Sequence, residues 1–115
     1  MPPPGDLAAI LGRDYRVAGL VDHDIVQAAP PGTDATVRID GDQITGSAGC
    51  NIYSAPVVLD GDRIQIGAIA LTERACVDSS DWFAFLDTLA GAVALEPFDG
   101  GLVIRAGQER AVFLQ

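Results

Sequence analysis

The stretch ITGSAGCNIYSAPVVLDGDRIQI, residues 44–66, joins two unlike patterns. Its second half reads as strand, turn and strand. Ile64 and Ile66 share one face against Arg63 and Gln65, and Asp60-Gly61 stands between runs of β-branched residues, the signature of a tight antiparallel hairpin. Its first half holds GSAGCN, a nearly side-chain-free run that ends in a thiol and an amide. Glycine inside strand-like sequence marks a bulge or a place where another segment comes close. Gly46 and Gly49, with Ala48 between, therefore predict a crowded crossing on an extended strand.

Asp-Gly recurs at RIDGDQI, 38–44, and PFDGGLV, 97–103. Neither these nor Asp60-Gly61 continues into the spaced ligands and closing glutamate of a calcium loop, so all three read as hairpin turns. The flanking runs alternate: Val37 and Ile39 against Thr36, Arg38 and Asp40, then Leu102 and Ile104 against Val103 and Arg105. RAVFLQ closes the chain as another strand, and DYRVAGL is the first. One segment breaks the period. In SSDWFAFLDTLAGAV, Trp82, Phe85, Leu86, Leu89 and Val93 form a helical stripe, with Ser79 or Ser80 as cap and Gly91 at the exit. The stripe reads as core, because a sheet with one apolar face needs a cover. The expected fold is α+β: a strongly curved, barrel-like antiparallel sheet of about seven or eight short, hairpin-connected strands, covered by one main helix near residues 80–91. A shorter helical turn fits DLAAILG, and APPGTD at 29–34 reads as a surface connection.

A chain of 115 residues, 49% hydrophobic and 20% charged, describes one globular domain, 1–115, with 1–10 as a loosely ordered N-terminal segment. The formal charge of −9, with seven scattered arginines as the only basic side chains apart from His23, repels phosphate backbones and anionic lipids. Nucleic acid is excluded as an expected partner, and a monomer is expected. No run approaches the roughly twenty apolar residues of a membrane span. The start has no basic n-region, so the chain is expected outside the cytoplasm, in the envelope or secreted, only if a signal or lipoprotein segment was trimmed from it. Otherwise it is expected in the cytoplasm.

Three chemistries compete for the cysteines. As a nucleophile, Cys50 needs a base, and the single histidine, His23 in VDHDI, has an exposed, acidic setting with no strand-to-helix elbow following the cysteine. As metal ligands, Cys50, Cys76 and His23 lack any paired spacing of the kind structural zinc sites use. A phosphate loop would need a lysine and a helix after GSAGCN. The structural reading remains, in which Cys50 faces Cys76. Joined in an oxidising compartment, the pair would contribute roughly 3.5 kcal/mol by loop-closure entropy. Reduced, they would be two small buried apolar groups. No catalytic residue, metal or cofactor is expected.

These residues resemble a known family. Gly46, Gly49, Cys50, Asn51 and Tyr53, followed after one hairpin by Thr72, Ala75 and Cys76, are similar to the paired motifs of the META domain, the family of the bacterial heat-shock protein HslJ. The similarity covers about residues 11–115. It departs at Tyr15, where the family's first strand usually has tryptophan, and at Arg74, commonly methionine. The resemblance implies a compact domain with a curved antiparallel sheet around a helix, a cell-envelope or stress-response setting, and no enzymatic activity. The function expected is contact with an unknown protein or small-molecule partner. Binding of an apolar ligand between sheet and helix, in a cavity lined by Trp82 and Phe85, is the alternative, and a cysteine-dependent enzyme the more distant one. Asn51, Tyr53 and Thr72 are the residues to inspect first, against the plainer expectation that Asn51 bonds local backbone and Tyr53 packs with its hydroxyl at the rim.

Overall fold

A computed structural model describes residues 10–29, 34–49, 51–72, 84–98 and 100–115. It contains β1 (Asp14–Asp22), β2 (Ile25–Ala28), β3 (Thr36–Asp40), β4 (Gln43–Ser47), β5 (Ile52–Asp60), β6 (Arg63–Ile66), β7 (Ala70–Leu71), α1 (Ala84–Ala90), β8 (Ala94–Phe98), β9 (Gly101–Ala106) and β10 (Arg110–Leu114). All pairings are antiparallel. The order runs β10, β9, β8, β6, β5, β4, β3, β1, β2, and β10 also pairs with β1. That last pairing closes the sheet into a ring.

The three Asp-Gly sites do make hairpins, joining β3 to β4, β5 to β6 and β8 to β9. In the first two, the aspartate is the last strand residue and Gly-Asp forms the loop, since Asp40 pairs with Gln43 and Asp60 with Arg63. The alternation read from sequence puts Val37, Ile39, Ile44, Leu102, Ile104 and Val112 inside, each almost wholly buried.

Curvature comes from strands that change partner. The first half of β1 pairs with β3 and the second half with β2, while β10 holds its other edge. The register slips between Val17 and Gly19, so Ala18 is an extra residue. An extra residue moves every later side chain to the opposite face. Thus Tyr15 and Val17 point into the core before the slip and Leu20 after it. β5 behaves alike, pairing with β4 through Pro56 and with β6 from Val57 onward. The seam between β6 and β8 is the thinnest, with one paired position, Arg63 with Ala94.

Two expectations need correction. The described residues hold ten strands rather than seven or eight, because β2, with all four residues exposed, and the two-residue β7 carry no alternating signal. The helix described is Ala84–Ala90, and Val93 lies beyond it and is exposed. Residues 73–83, with Trp82 and the expected caps Ser79 and Ser80, lie outside the described residues. Among the described residues the fold is therefore mostly antiparallel sheet with one short helix element, and an α+β label fits it loosely.

Along α1, Phe85, Leu86, Thr88 and Leu89 are buried, and the helix packs against β9 and β10. Phe85 meets the ring of Tyr53 edge-on, with centroids 5.9 Å apart and planes at 69°. Ile10 joins the same core, next to Gly12, whose N–H donates to the Ile39 carbonyl at 2.7 Å. Phe85 thus links the helix to β5, inside the ring. Truncating it to alanine is expected to destabilise the fold by about 3–5 kcal/mol, read as a lower urea midpoint with an unchanged m-value.

Candidate functional site

The motif residues that fall within the described structure converge where β3, β4 and β5 meet. Gly46 pairs with Tyr53 across β4 and β5, so both face the core. Tyr53 is only 3% exposed, and its hydroxyl donates at 2.6 Å to the main-chain carbonyl of Thr36, on the strand beyond β4. The ring therefore passes over β4 at position 46. A Cβ there would lie 2.0 Å from that carbonyl oxygen and 2.7 Å from the Tyr53 hydroxyl, so only glycine fits.

The Thr36 carbonyl is available because the sheet ladder is rewired. Opposite it, the Ser47 amide donates to the Thr36 hydroxyl at 2.9 Å. Ser47 Oγ donates to the Asp34 carbonyl at 3.1 Å, which leaves the Thr36 hydroxyl to donate to Ser47 Oγ, also at 3.1 Å. A buried carbonyl without a donor would be costly, and the tyrosine hydroxyl supplies one. Burial pushes the Tyr53 phenol above its usual 10.0, and donation to a carbonyl requires its proton.

Gly49 holds the next turn. Its φ of 97° lies in the region side chains rarely adopt, and its N–H donates to the Asp34 carbonyl at 2.7 Å. Ala48 bridges to Ala35 and donates its N–H to the Asn51 carbonyl at 2.9 Å. Asn51 is buried, and its Oδ1 accepts from the Thr72 hydroxyl at 3.0 Å. The same hydroxyl accepts from the Ile52 N–H, and the Thr72 N–H donates to the Ile52 carbonyl, both at 3.0 Å. Thr72 is thereby fastened to the start of β5.

The structure thus brings Gly46, Gly49, Asn51, Tyr53 and Thr72 together in one hydrogen-bonded clasp. Cys50, Ala75 and Cys76 lie outside the described residues, as does any bond between the cysteines. The Tyr53 hydroxyl is not at the rim as expected, because the partner it reaches is a main-chain group on another strand. Asp34, Thr36 and Ser47 were missed as site residues. Their only signal was Thr36 and Ser47 as hydroxyls flanking the strands, too common a pattern to single out.

Next to the clasp is an open, mainly apolar groove of about 480 Å³, lined by Thr45, Gly46, Ile52, Tyr53, Ser54, Ala70, Leu71 and Thr72. Ile52 is 61% and Leu71 38% exposed there. His23 sits elsewhere, in the turn between β1 and β2. That end of β1 lies about 20 Å along the strand from Arg16, the residue that pairs with Thr36. Among the described residues no group of three or more histidine, cysteine, aspartate or glutamate side chains is arranged to hold a metal.

The clasp makes a specific prediction. Tyr53→Phe leaves the Thr36 carbonyl without its donor and is expected to destabilise by about 1–3 kcal/mol. Gly46→Ala, whose Cβ would collide with the Thr36 carbonyl oxygen as well as displace the ring, is expected to cost more. In urea unfolding the double variant should lose clearly less than the sum of the two, because both remove one hydrogen bond.

Comparison with known proteins follows the geometry. A solved NMR structure of a protein from Burkholderia xenovorans has a similar fold, with TM-score 0.76 at 15% identity over 98% of this chain and 87% of that one. A second NMR structure gives TM-score 0.59 at 14% identity, over 98% and 94% of the two chains. No curated protein matches the sequence. The META domain family matches residues 8–115, including the clasp, and the chain belongs to that family.

Proposed function

We propose that this META domain is a non-enzymatic module of the bacterial cell envelope or stress response, acting through contacts with a protein or small-ligand partner. One observation carries the reading. Among the described residues the motif's polar side chains are already engaged, Tyr53 with the Thr36 carbonyl and Thr72 with Asn51, while the apolar side chains beside them, Ile52 and Leu71, face solvent. Groups already bonded in this way hold a surface rigid rather than standing poised as acid or base. Exposed aliphatics on a rigid strand edge suit contact with an apolar partner group. The envelope or stress setting, and placement outside the cytoplasm, rest on the family resemblance.

If the ligand is a small apolar molecule, the groove beside the clasp is a better place for it than the interior. Phe85, expected to line an internal cavity, is packed in the core with Ile39, Ile44, Leu89 and Leu95, all among the largest fully buried side chains. Trp82, the other expected lining residue, lies outside the described residues.

Titration with N-phenyl-1-naphthylamine, an uncharged apolar fluorophore, tests the reading. Saturable fluorescence is expected, reduced several-fold in the Ile52→Asp, Leu71→Asp double variant, with amide spectra showing the fold intact. Binding indifferent to the double variant would remove the groove from the account. Turnover of an ester, amide or phosphate substrate that is abolished by Cys50→Ala would overturn the non-enzymatic reading.

A further inference from the structure

We infer that His23, as an imidazolium, is a pH-sensitive clasp that ties the β1–β2 turn to the β9–β10 turn and keeps the exposed strand β2 seated. Its Nδ1 meets the carboxylate of Asp22, and its Nε2 lies 2.7 Å from Oε2 of Glu109. Ionised carboxylates only accept, so both ring nitrogens must donate, and a neutral ring carries a single N–H. Loss of one proton therefore breaks one of the two links. The main chain adds a third, because the His23 N–H donates to the Glu109 carbonyl at 3.0 Å.

The turn is one that benefits from such a tie. His23 and Asp24 both have positive φ, 52° and 68°, in a two-residue connection without glycine. Side chains at both positions make this backbone unfavourable on its own. The strand that follows offers little anchorage. Among the described residues β2 pairs only with β1, and Ile25 and Val26 are 70% and 75% exposed. Strands with so little burial lie at the low end of local stability.

The charges around the imidazole set the direction of the switch. The hydrogen bond with Asp22 is the largest influence, followed by the charge of Glu109 and that of Asp22, and together they raise the His23 pKa above 6.5 against a slight desolvation and the opposing charge of Arg110. Asp24 is the other half of the turn, and Arg105 lines the same hollow of about 330 Å³. Arg105 is itself engaged with Glu96 at 2.5 Å. A raised folded pKa means that the tie is complete below pH 6.5 and is lost as pH rises through the raised value. The group is exposed, so the effect is local and screened by salt.

Histidine NMR titration of the wild-type chain and of Glu109→Gln, combined with amide exchange at Ala29, tests the inference. The Ala29 N–H donates to the Ala18 carbonyl at 2.9 Å and so reports whether β2 is seated. The wild-type ring is expected to titrate above 6.5 and the variant at a lower pH. Protection at Ala29, relative to the core amide of Val112, should fall about two- to fivefold through the wild-type transition, and less in about 1 M salt. A wild-type midpoint at or below 6.5 would overturn the inference. So would a higher midpoint that Ala29 protection does not follow.

Discussion

The hydrogen bond from Tyr53 to the Thr36 carbonyl, made across the bare backbone of Gly46, is the constraint on which the rest of the ring depends. It joins two strands that are not neighbours, with β4 running between them. A sheet ladder alone would have used the Thr36 carbonyl on Ser47. Instead the threonine hydroxyl takes that place and the carbonyl turns to the core face, where Tyr53 meets it. Tyr53 then presents its ring to Phe85, so the clasp also fixes where α1 sits. Three layers of contact follow from the absence of one side chain.

Much of this architecture was legible in the sequence because it is local. Alternation in residues 36–40, 63–66 and 102–105 depends only on neighbours, and each Asp-Gly announces its own hairpin. Gly46 and Gly49 likewise signalled a crossing before any partner was known. What they could not show was the partner itself. A main-chain carbonyl has no residue code, and Thr36 is seventeen positions from Tyr53. The strand IVQA was hidden for the opposite reason: every side chain is exposed, so nothing alternates. The turn His23-Asp24 takes positive φ with neither glycine nor asparagine to announce it. Closure of the ring, through β1 and β10, is a contact between the two ends of the chain that no local pattern encodes.

The same division separates structure from function in this META domain. Of the residues that identify the family, the described ones, Gly46, Gly49, Asn51, Tyr53 and Thr72, belong to one hydrogen-bonded set and account for the shape of the strand crossing. Partner recognition then falls to residues such as Ile52 and Leu71, which the crossing merely positions, and which a motif-based reading passes over. The His23 tie is independent of both. It sits at the far end of β1 and belongs to the electrostatics of an acidic chain, where one imidazole between two carboxylates is a natural place for a proton to matter.

Residue-specific NMR titration of the Tyr53 ring, followed through its Cζ shift into alkaline solution, tests the central claim most directly. A buried phenol with a raised pKa contributes stability that is fully present below the unfolded value of 10.0 and is lost progressively as pH climbs from there to the higher folded value. The account predicts that Tyr53 stays protonated well past pH 10.0 while the fold persists, and ionises later or when the chain unfolds. Ordinary titration near 10.0 in a chain that remains folded would mean that the hydroxyl is open to water, and the crossing as described would not exist.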